Sequence, residues 1–283
     1  MTKNSSASVI ILTKNSSSTL EACLKSIAEQ GPGEVLAVDA LSTDNTTDIL
    51  SRYKVSILID DRKSLGYARR LGVESSHKPL VMFVDSDVVL GPRCISIMIS
   101  ELTAHGWAGI HAKMLSRQNE TYWQRAEDEN FAAFNKEGPK DHIGTIAALF
   151  RRELLVKYPF DPNLDSACED IDVCRRLRND GYVVGVSTAI AYHLHRREFR
   201  EIFKQGFRNG RGDAKLALKS GSISIAFGTT QNALYQNIKS MFTLKFRLIP
   251  YWAVIGLAGL TGALLGLSSG YGDTSRTAAT RVS

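Results

Sequence analysis

The stretch Leu80-Val81-Met82-Phe83-Val84-Asp85-Ser86-Asp87 joins a run of apolar residues to two closely spaced carboxylates. Five apolar residues in a row are typical of a strand buried on both faces, as in a parallel sheet. Open α/β sheets bind ligands at the carboxyl ends of their strands, which is where Asp85 and Asp87 fall. Aspartates at positions i and i+2 can converge on a hard cation such as Mg²⁺ or Mn²⁺, although aspartate also favours plain turns. The stretch therefore predicts a strand end that binds a metal and a phosphate ligand.

The first half of the chain alternates between strand-like and helix-like segments. Apolar runs typical of strands begin at Ser8, Glu34, Val55 and Leu80, and segments with helical spacing lie between them. This order predicts a doubly wound α/β fold with a mainly parallel sheet and right-handed crossovers. Several acidic residues would then share one edge of the sheet: Asp39, Asp60, Asp61, Asp85 and Asp87.

The second half of the chain is less regular. Helices are predicted over 95–105, 120–135 and 170–179, strands over 109–114 and 182–186, and 144–150 is a further apolar run. The segment from Arg196 to Lys219 carries eight Lys or Arg against three acids, which favours either an anionic partner or a solvated helix face. Gly206, Gly210 and Gly212 would weaken a plain helix, so another segment is expected to approach closely there.

The overall composition is that of an ordinary globular protein with a modest positive charge. The 283 residues are 43% hydrophobic and 23% charged with a formal charge of +6, which allows a sizeable core in one large domain or two small ones. The four cysteines are scattered without a CxxC pair, which gives no zinc-finger spacing and favours a reducing compartment. The segment 1–8 has no apolar run, so no cleaved signal peptide is expected.

The C-terminal region contains a long uncharged segment. Leu248 to Gly270 is 23 residues without a charge, long enough to cross a hydrocarbon core of about 30 Å. Tyr251 and Trp252 fall where an aromatic belt would lie, and Gly262, Gly266 and Gly270 repeat at a spacing that suits helix packing. The alternatives are a buried hairpin or a Gly-rich tail. Residues 222–246, mixed apolar and polar, could lie on a membrane surface, and whether 248–270 spans the membrane or only associates with it stays open.

Three further groups of residues in the second half could carry chemistry. Glu169-Asp170 opens a predicted helix, where a carboxylate could act as a general base or merely complement the helix dipole. His193 and His195 would share a face if their segment is extended, and one of them could complete a metal site. Gln205 and Arg208 lie within one helical turn, and an arginine suits phosphate recognition.

In this order, the segments resemble the family-2 inverting glycosyltransferases of the GT-A fold. The resemblance covers about residues 8–216 and rests on five ordered blocks. The blocks are Val9-Ile-Ile-Leu-Thr13-Lys-Asn15, Asp39-Ala-Leu-Ser42-Thr43-Asp44, Gly66-Tyr-Ala68-Arg69-Arg70-Leu-Gly72, Asp85-Ser-Asp87 and Glu169-Asp170-Ile-Asp172-Val-Cys-Arg175-Arg176-Leu177. The second block departs from the family pattern at Ala40 and Leu41, and the third at Arg70. The resemblance implies a GT-A sheet with an acceptor-binding subdomain, and the uncharged C-terminal run separately predicts a membrane-associated helical segment after it.

The resemblance also implies roles for individual residues. The donor, a UDP-, GDP- or dTDP-linked sugar, would be bound by Thr13, Asn15, Asp39, Arg69 and Asp85. The divalent cation, Mn²⁺ or Mg²⁺, would be held by Asp87 with Asp85 and His193. Asp170 would be the catalytic base with Glu169 beside it. Gln205 and Arg208 would lie on the diphosphate or acceptor side.

The reaction expected from this resemblance is an inverting sugar transfer to a hydroxyl group of a glycan or a lipid-linked acceptor. A polyprenyl phosphate acceptor is a second reading, but it would need no base. A sugar nucleotidyltransferase usually has a glycine-rich loop after its first strand, whereas residues 14–18 contain no glycine. A non-catalytic nucleotide-sugar-binding scaffold is a further alternative. No nucleic-acid partner is expected, and the protein is predicted at the cytoplasmic face of a membrane.

The predicted roles of the residues divide the chain into five regions. Residues 1–115 are predicted as the nucleotide-sugar-binding half and 116–219 as the acceptor and catalytic half. An amphipathic linker over 220–247, a candidate transmembrane helix over 248–270 and a tail over 271–283 would complete the chain.

Overall fold

The first half of the chain forms the strands and helices that its apolar pattern predicts, with one further short strand over Val88–Leu90. The structure, a computed structural model, describes residues 4–61 and 64–271. The elements of this half are β1 (Asn4–Thr13), α1 (Leu20–Gln30), β2 (Pro32–Asp39), α2 (Thr46–Arg52), β3 (Ser56–Ile59), α3 (Leu65–Ser75), β4 (Leu80–Asp85) and β5 (Val88–Leu90). Helix α1 ends at Gly31 in the left-handed conformation, and the Ser64 side chain caps α3 by accepting a hydrogen bond from the Tyr67 amide.

The second half contains the predicted helices and one short strand, Gly138–Lys140, that the pattern did not show. Its elements are α4 (Cys94–His105), β6 (Gly109–Ser116), α5 (Tyr122–Phe134), β7 (Gly138–Lys140), β8 (Ala147–Arg151), α6 (Arg152–Lys157), α7 (Glu169–Asn179), β9 (Val184–His193), α8 (Phe199–Ser220), α9 (Gly228–Phe242) and α10 (Ile249–Ser269). Strand β9 continues well beyond the 182–186 segment that was predicted. Two 3₁₀ turns, Ile223–Phe227 and Phe246–Leu248, precede α9 and α10.

All strands belong to one mixed, mainly parallel sheet in the order β3-β2-β1-β4-β8-β6-β9-β5, with β7 paired to β9. Strands β1 to β4 are parallel neighbours, β8 runs antiparallel to both β4 and β6, and β9 is parallel to β6. The sheet therefore reverses direction only at β8 and at the short strands β5 and β7. This architecture confirms the predicted fold class.

The two faces of the sheet are covered by separate apolar clusters. Val9 and Ile11 of β1 pack on one face beneath α1 and α4, while Ile10 packs on the other beneath α3. On the second face Phe83 contacts Phe160 edge to face, with ring centroids 5.4 Å apart. Burial on both faces explains why β4 is a continuous apolar run in the sequence.

Helices α8, α9 and α10 pack against one another beyond the sheet. A Cβ atom placed on Gly210 of α8 would lie 1.9 Å from the Gly259 carbonyl oxygen, and one on Gly262 of α10 would lie 2.0 Å from that of Phe207. A Cβ on Gly206 would lie 3.0 Å from the Ala258 Cβ. The structure thus confirms the close approach expected from the glycines of α8.

The regions predicted after residue 220 can be compared with the structure one by one. Residues 246–269 are long and apolar enough to cross a membrane, by length and composition alone. Residues 222–246 are mostly helical, through the first 3₁₀ turn and α9. The expected tail lies outside the described residues beyond Tyr271.

Candidate active site

Strand register brings the predicted donor residues to one edge of the sheet. Thr13 pairs with Asp39, Asp39 pairs with Ile59, and Leu12 pairs with Asp85, so the loops that follow β1, β2 and β4 lie side by side. This edge is where an open α/β sheet binds its ligands. The predicted grouping of acids at the strand ends is therefore present in the structure.

Asp39 organises the loop that follows β2. It is 1% exposed and accepts hydrogen bonds from the Thr13 hydroxyl (2.8 Å), the Ser42 amide (2.7 Å) and the Ser42 hydroxyl (2.6 Å). Asn15 is exposed in the left-handed conformation, and its Oδ1 accepts a hydrogen bond from the Thr43 amide at 2.9 Å. The loops after β1 and β2 are thus joined by polar contacts, which fixes the shape of any ligand site between them.

A second set of contacts, which the sequence analysis did not predict, links these loops to β4. Ser16 donates its amide proton to the Thr46 hydroxyl at 2.7 Å and accepts a hydrogen bond from the Ser86 hydroxyl at 2.9 Å. Asp44 accepts from Ser17 and Thr46, and these hydrogen bonds hold the pKa of its carboxyl well below the ordinary value. Ser86, the middle residue of Asp85-Ser86-Asp87, therefore fastens the acidic pair to the first loop.

Asp85 and Asp87 occupy different environments at the end of β4. Burial and the charge of Asp87 raise the pKa of Asp85 to about 6. Because β5 runs antiparallel to β9, Asp87 lies against the end of β9, with its Oδ2 3.4 Å from Nε2 of His193. Burial disfavours the imidazolium of His193, but the hydrogen bond and charge of Asp87 outweigh burial and raise the His193 pKa. Burial likewise opposes ionisation of Asp87, and His193 nevertheless lowers the Asp87 pKa.

The side chains at the end of β4 include groups that bind divalent cations, but they do not form a complete set of ligands. Within 4–61 and 64–271, no group of three or more His, Cys, Asp or Glu side chains is arranged to hold a metal. The two carboxylates suit Mg²⁺ or Mn²⁺, and Asp85 and Asp87 are partly exposed. These carboxylates therefore fit a divalent cation whose remaining ligands would come from a substrate or from water, and the His193 imidazole lies against Asp87.

Glu169 and Asp170 are adjacent in sequence but have different surroundings. Glu169 is 2% exposed, and its Oε1 lies 2.5 Å from Nη1 of Arg69, which is also buried. Burial raises the pKa of Glu169 to about 7 although Arg69 opposes the shift. Asp170 is partly exposed, and a Cβ placed on Gly144 would lie 3.7 Å from its Oδ2. Burial raises the pKa of Asp170 as well. Asp170 is therefore the accessible carboxylate of the two.

Helix α8 places its polar residues along the same site. Arg208 donates to the Ser166 carbonyl oxygen at 3.4 Å, and among the described residues no carboxylate oxygen lies within 4.0 Å of it. Burial lowers the Arg208 pKa, and the charge of nearby Arg196 lowers it further. Gln205 accepts a hydrogen bond from Arg196 at 2.9 Å. Arg208 is thus a half-buried cation beside Glu169 with a weak internal partner, as an anion-binding group would be.

Most of the other cations between Arg196 and Lys219 are paired within the protein, which limits the anion-binding interpretation of this segment. The pairs are Arg196 with Glu127, Arg197 with Glu120, Arg211 and Lys215 with Asp165, and Lys219 with Asp161 and Asp172. His195, buried beside Glu127, has its Nδ1 3.1 Å from that of His193. These partners come from elements far apart in sequence, and local patterns gave no signal for them.

The amino-acid sequence matches a known family over the part of the chain that builds this edge. Residues 8–158 match the family described as glycosyl transferase family 2. The chain belongs to that family. No curated protein matches the sequence significantly.

Solved structures of glycosyltransferases resemble the fold of this family member. GalNAc-T7, solved with UDP, GalNAc and Mn²⁺, has a TM-score of 0.56 and 13% identity over 76% of this chain and 50% of its own. The 1–349 fragment of S. aureus TarS with UDP has a TM-score of 0.54 and 17% identity over 93% and 90%. Glucosyl-3-phosphoglycerate synthase from Mycobacterium tuberculosis with phosphoglyceric acid has a TM-score of 0.57 and 18% identity over 77% and 80%. This chain spans half of the GalNAc-T7 chain, and such identities establish the fold alone.

Proposed function

We propose that this glycosyltransferase catalyses an inverting, cation-dependent transfer of a sugar from a nucleoside diphosphate to a hydroxyl acceptor. The observation that carries the proposal is the position of Asp170, a partly exposed carboxylate with a raised pKa beside Gly144 and in electrostatic range of Asp85. A base of this kind is needed for a hydroxyl nucleophile and is not needed for a phosphate. The Asp170 position therefore favours the hydroxyl acceptor over polyprenyl phosphate.

In the proposed reaction Asp170 takes the proton of the acceptor hydroxyl as its oxygen attacks the anomeric carbon. The new C–O bond forms on the face opposite to the diphosphate, and the bond to the diphosphate oxygen breaks with its electron pair. Arg208 would stabilise the charge that develops on this leaving group, because it is a cation beside the site whose hydrogen bond to the described part of the chain, at 3.4 Å, is weak.

The donor is proposed to lie along the loops after β1 and β2. Thr13, Asn15 and Asp39 would surround the nucleoside, with Asp39 acting mainly through the loop that it holds. Asp87, Asp85 and His193 would hold the divalent cation, which supplies charge neutralisation for the diphosphate. Neighbouring structures solved with UDP or with Mn²⁺ support a nucleotide-sugar donor and a cation.

The roles of Arg69 and Glu169 are proposed to differ from those of Asp170. Their buried ion pair joins α3 to the first residue of α7, so Glu169 would position the helix that carries the base rather than contact substrate. Arg69 would influence the donor through its charge on Asp85. We further propose the 1–115 half as the donor side and the 116–219 half as the acceptor side. The four free, buried cysteines support a cytoplasmic location.

The decisive experiment measures nucleotide binding and transfer separately. Thermal shift with UDP-, GDP- and dTDP-sugars, each with Mn²⁺, Mg²⁺ or EDTA, should show stabilisation by one nucleotide that is lost with EDTA. Asp170→Asn should retain this stabilisation while transfer falls by two to four orders of magnitude. Asp141→Asn, which changes an exposed acid in a surface ion pair, is the matched control and should leave both unchanged. Absence of any nucleotide stabilisation, or full transfer by Asp170→Asn, would contradict the proposal.

A further inference from the structure

Helix α9 presents a row of large apolar side chains to solvent. The exposed residues at helical spacing are Leu234, Tyr235, Ile238, Met241 and Phe242, and they continue into Leu244 and Phe246. Phe242 is 85% exposed and Leu244 is 76% exposed. A soluble protein rarely exposes so many large apolar residues on one short segment, and such patches mark interaction surfaces.

Helix α10 has an exposed stripe on the side opposite α8. Leu257, Leu260, Leu264 and Leu265 are exposed, whereas Gly262 packs on α8. A Cβ on Gly259 would lie 2.8 Å from the Thr229 side chain of α9, so α10 also supports α9. The two exposed stripes therefore belong to one packed pair of helices.

The charged residues within this helix pair and its connecting turn are all positive. The sequence contains no aspartate or glutamate between Asp213 and Asp273, but it contains Lys239 at the end of α9 and Lys245 and Arg247 in the turn that follows. All three cations are exposed, although Lys245 and Arg247 also contact Glu129. Apolar side chains bordered by cations complement an anionic lipid surface.

The packing of α8 on α10 opposes a spanning orientation. The two helices run in the same direction along their contact, from Gly206 beside Ile255 to Ala214 beside Gly266. At two positions the backbone of one helix touches the backbone of the other. If α10 crossed a bilayer, this part of α8 would lie at the same depth. This part of α8 carries Arg211, which is bound to Asp165 of the catalytic half. Charged groups at the centre of a bilayer are costly, and here part of the catalytic half would have to follow them.

From these observations we propose that the α9–α10 pair docks onto an anionic bilayer and lies in its surface without crossing it. The apolar stripes enter the boundary between headgroups and acyl chains, and the basic turn at 239–247 meets the lipid phosphates. This proposal concerns the partner of the protein and is independent of the transfer reaction.

The first test is binding of the full chain to sealed vesicles of phosphatidylcholine with and without 30% phosphatidylglycerol. Wild-type protein should float with the anionic vesicles, and the double variant Leu234→Glu with Phe242→Glu should bind at least tenfold more weakly. Val156→Glu changes an apolar residue that is 53% exposed on α6, and as the matched control it should bind like wild type. Absence of binding by wild type, or an equal loss in the control, would overturn the proposal.

The second test distinguishes lying on the membrane from crossing it. The full chain, with one epitope before Met1 and another after Ser283, is expressed in cells, and sealed membrane vesicles are treated with protease. We expect both epitopes to be cleaved to the same extent, because both ends remain on one side. Protection of only one epitope would show a spanning helix and overturn the in-plane orientation.

A second copy of the chain is the alternative partner for the exposed surface of α9 and α10. This alternative predicts a different experimental result. Analytical ultracentrifugation without lipid should show the same association state for wild type and the double variant. If wild type is a dimer, the double variant is a monomer, and vesicle binding is unchanged, then the surface is a protein interface and the proposal is wrong.

Discussion

The buried pair of Arg69 and Glu169 gives the sharpest prediction about the site. Arg69→Met removes the cation and leaves the Glu169 carboxyl buried, where burial already raises its pKa from 4.5 to about 7. Because Arg69 opposes that shift, its removal raises the pKa further. The folded variant then keeps a proton that the unfolded chain releases. Wild type and variant should both lose stability as the pH rises from about 4.5 to about 7, and the variant should go on losing it at higher pH, where Glu169 of the wild type is already ionised.

The size of the effect follows from the slope of this linkage. The stability changes by at most about 1.4 kcal/mol per pH unit, so both proteins lose about 3 kcal/mol between pH 4.5 and pH 7. The extra loss of the variant develops above pH 7 and reaches at most about 1.4 kcal/mol by pH 8. For a chain of this size it corresponds to an additional decrease in Tm of about 3–6 °C at pH 8 relative to pH 5.

Thermal unfolding followed by circular dichroism at pH 5, 6, 7 and 8 measures the effect. Adding Glu169→Gln to Arg69→Met should abolish the extra pH dependence, because no carboxyl remains to titrate. Arg70→Met is the matched control: Arg70 pairs with Glu74 on the exposed side of α3, and its loss should cost less than about 1 kcal/mol. An equal loss at pH 5 and pH 8, or an Arg70→Met variant as unstable as Arg69→Met, would refute the reasoning.

Three further predictions concern the helix contact, the donor loop and the base. Gly210→Ala should destabilise the protein by about 1–3 kcal/mol, because its Cβ would lie 1.9 Å from a carbonyl oxygen, whereas Gly256→Ala, with its nearest atom at 3.2 Å, should change Tm far less. Asp39→Asn should cost about 1–3 kcal/mol and weaken nucleotide binding in a titration, because the charge-assisted hydrogen bonds from Thr13 and Ser42 to the carboxylate become bonds to a neutral amide. In a pH profile of kcat/KM, activity should fall on the acidic side at a pH above the ordinary aspartate value of 3.8, because burial raises the Asp170 pKa.

The sheet and its acidic edge were predictable because they follow from local patterns. Residues 80–84 are apolar on both faces, and Asp85 and Asp87 must then leave the strand at its carboxyl end. The direction of β8 was not predictable, because a buried strand has the same composition whether it runs parallel or antiparallel to its neighbour. The short strands β5 and β7 contain three residues each, which is too few for a periodic signal.

The individual site residues were predictable by type, and their contacts were not. Glu169 and Asp170 were both assigned as catalytic from one motif, and only the fold shows that Glu169 pairs with a residue 100 positions earlier. Likewise, His193 was identified next to a strand end, while its neighbour Glu127 comes from α5. Such partners are decided by the packing of α3, α5 and α7 around the sheet, which no local pattern encodes.

Helix α8 connects the proposed membrane surface to the proposed base through backbone contacts. On one side Gly210 touches Gly259 of α10, and on another a Cβ on Gly212 would lie 2.8 Å from the Ala167 carbonyl oxygen, three residues before Asp170. Arg208 precedes both contacts on α8 and lies within about one turn of each. Backbone contacts of this kind cannot be adjusted by rotating a side chain, so the base and Arg208 would keep a constant position relative to α10. On the proposed in-plane orientation, an acceptor held in the bilayer would therefore meet the site at a constant height, and Gly210→Ala should impair transfer to a lipid-linked acceptor more than to a soluble one.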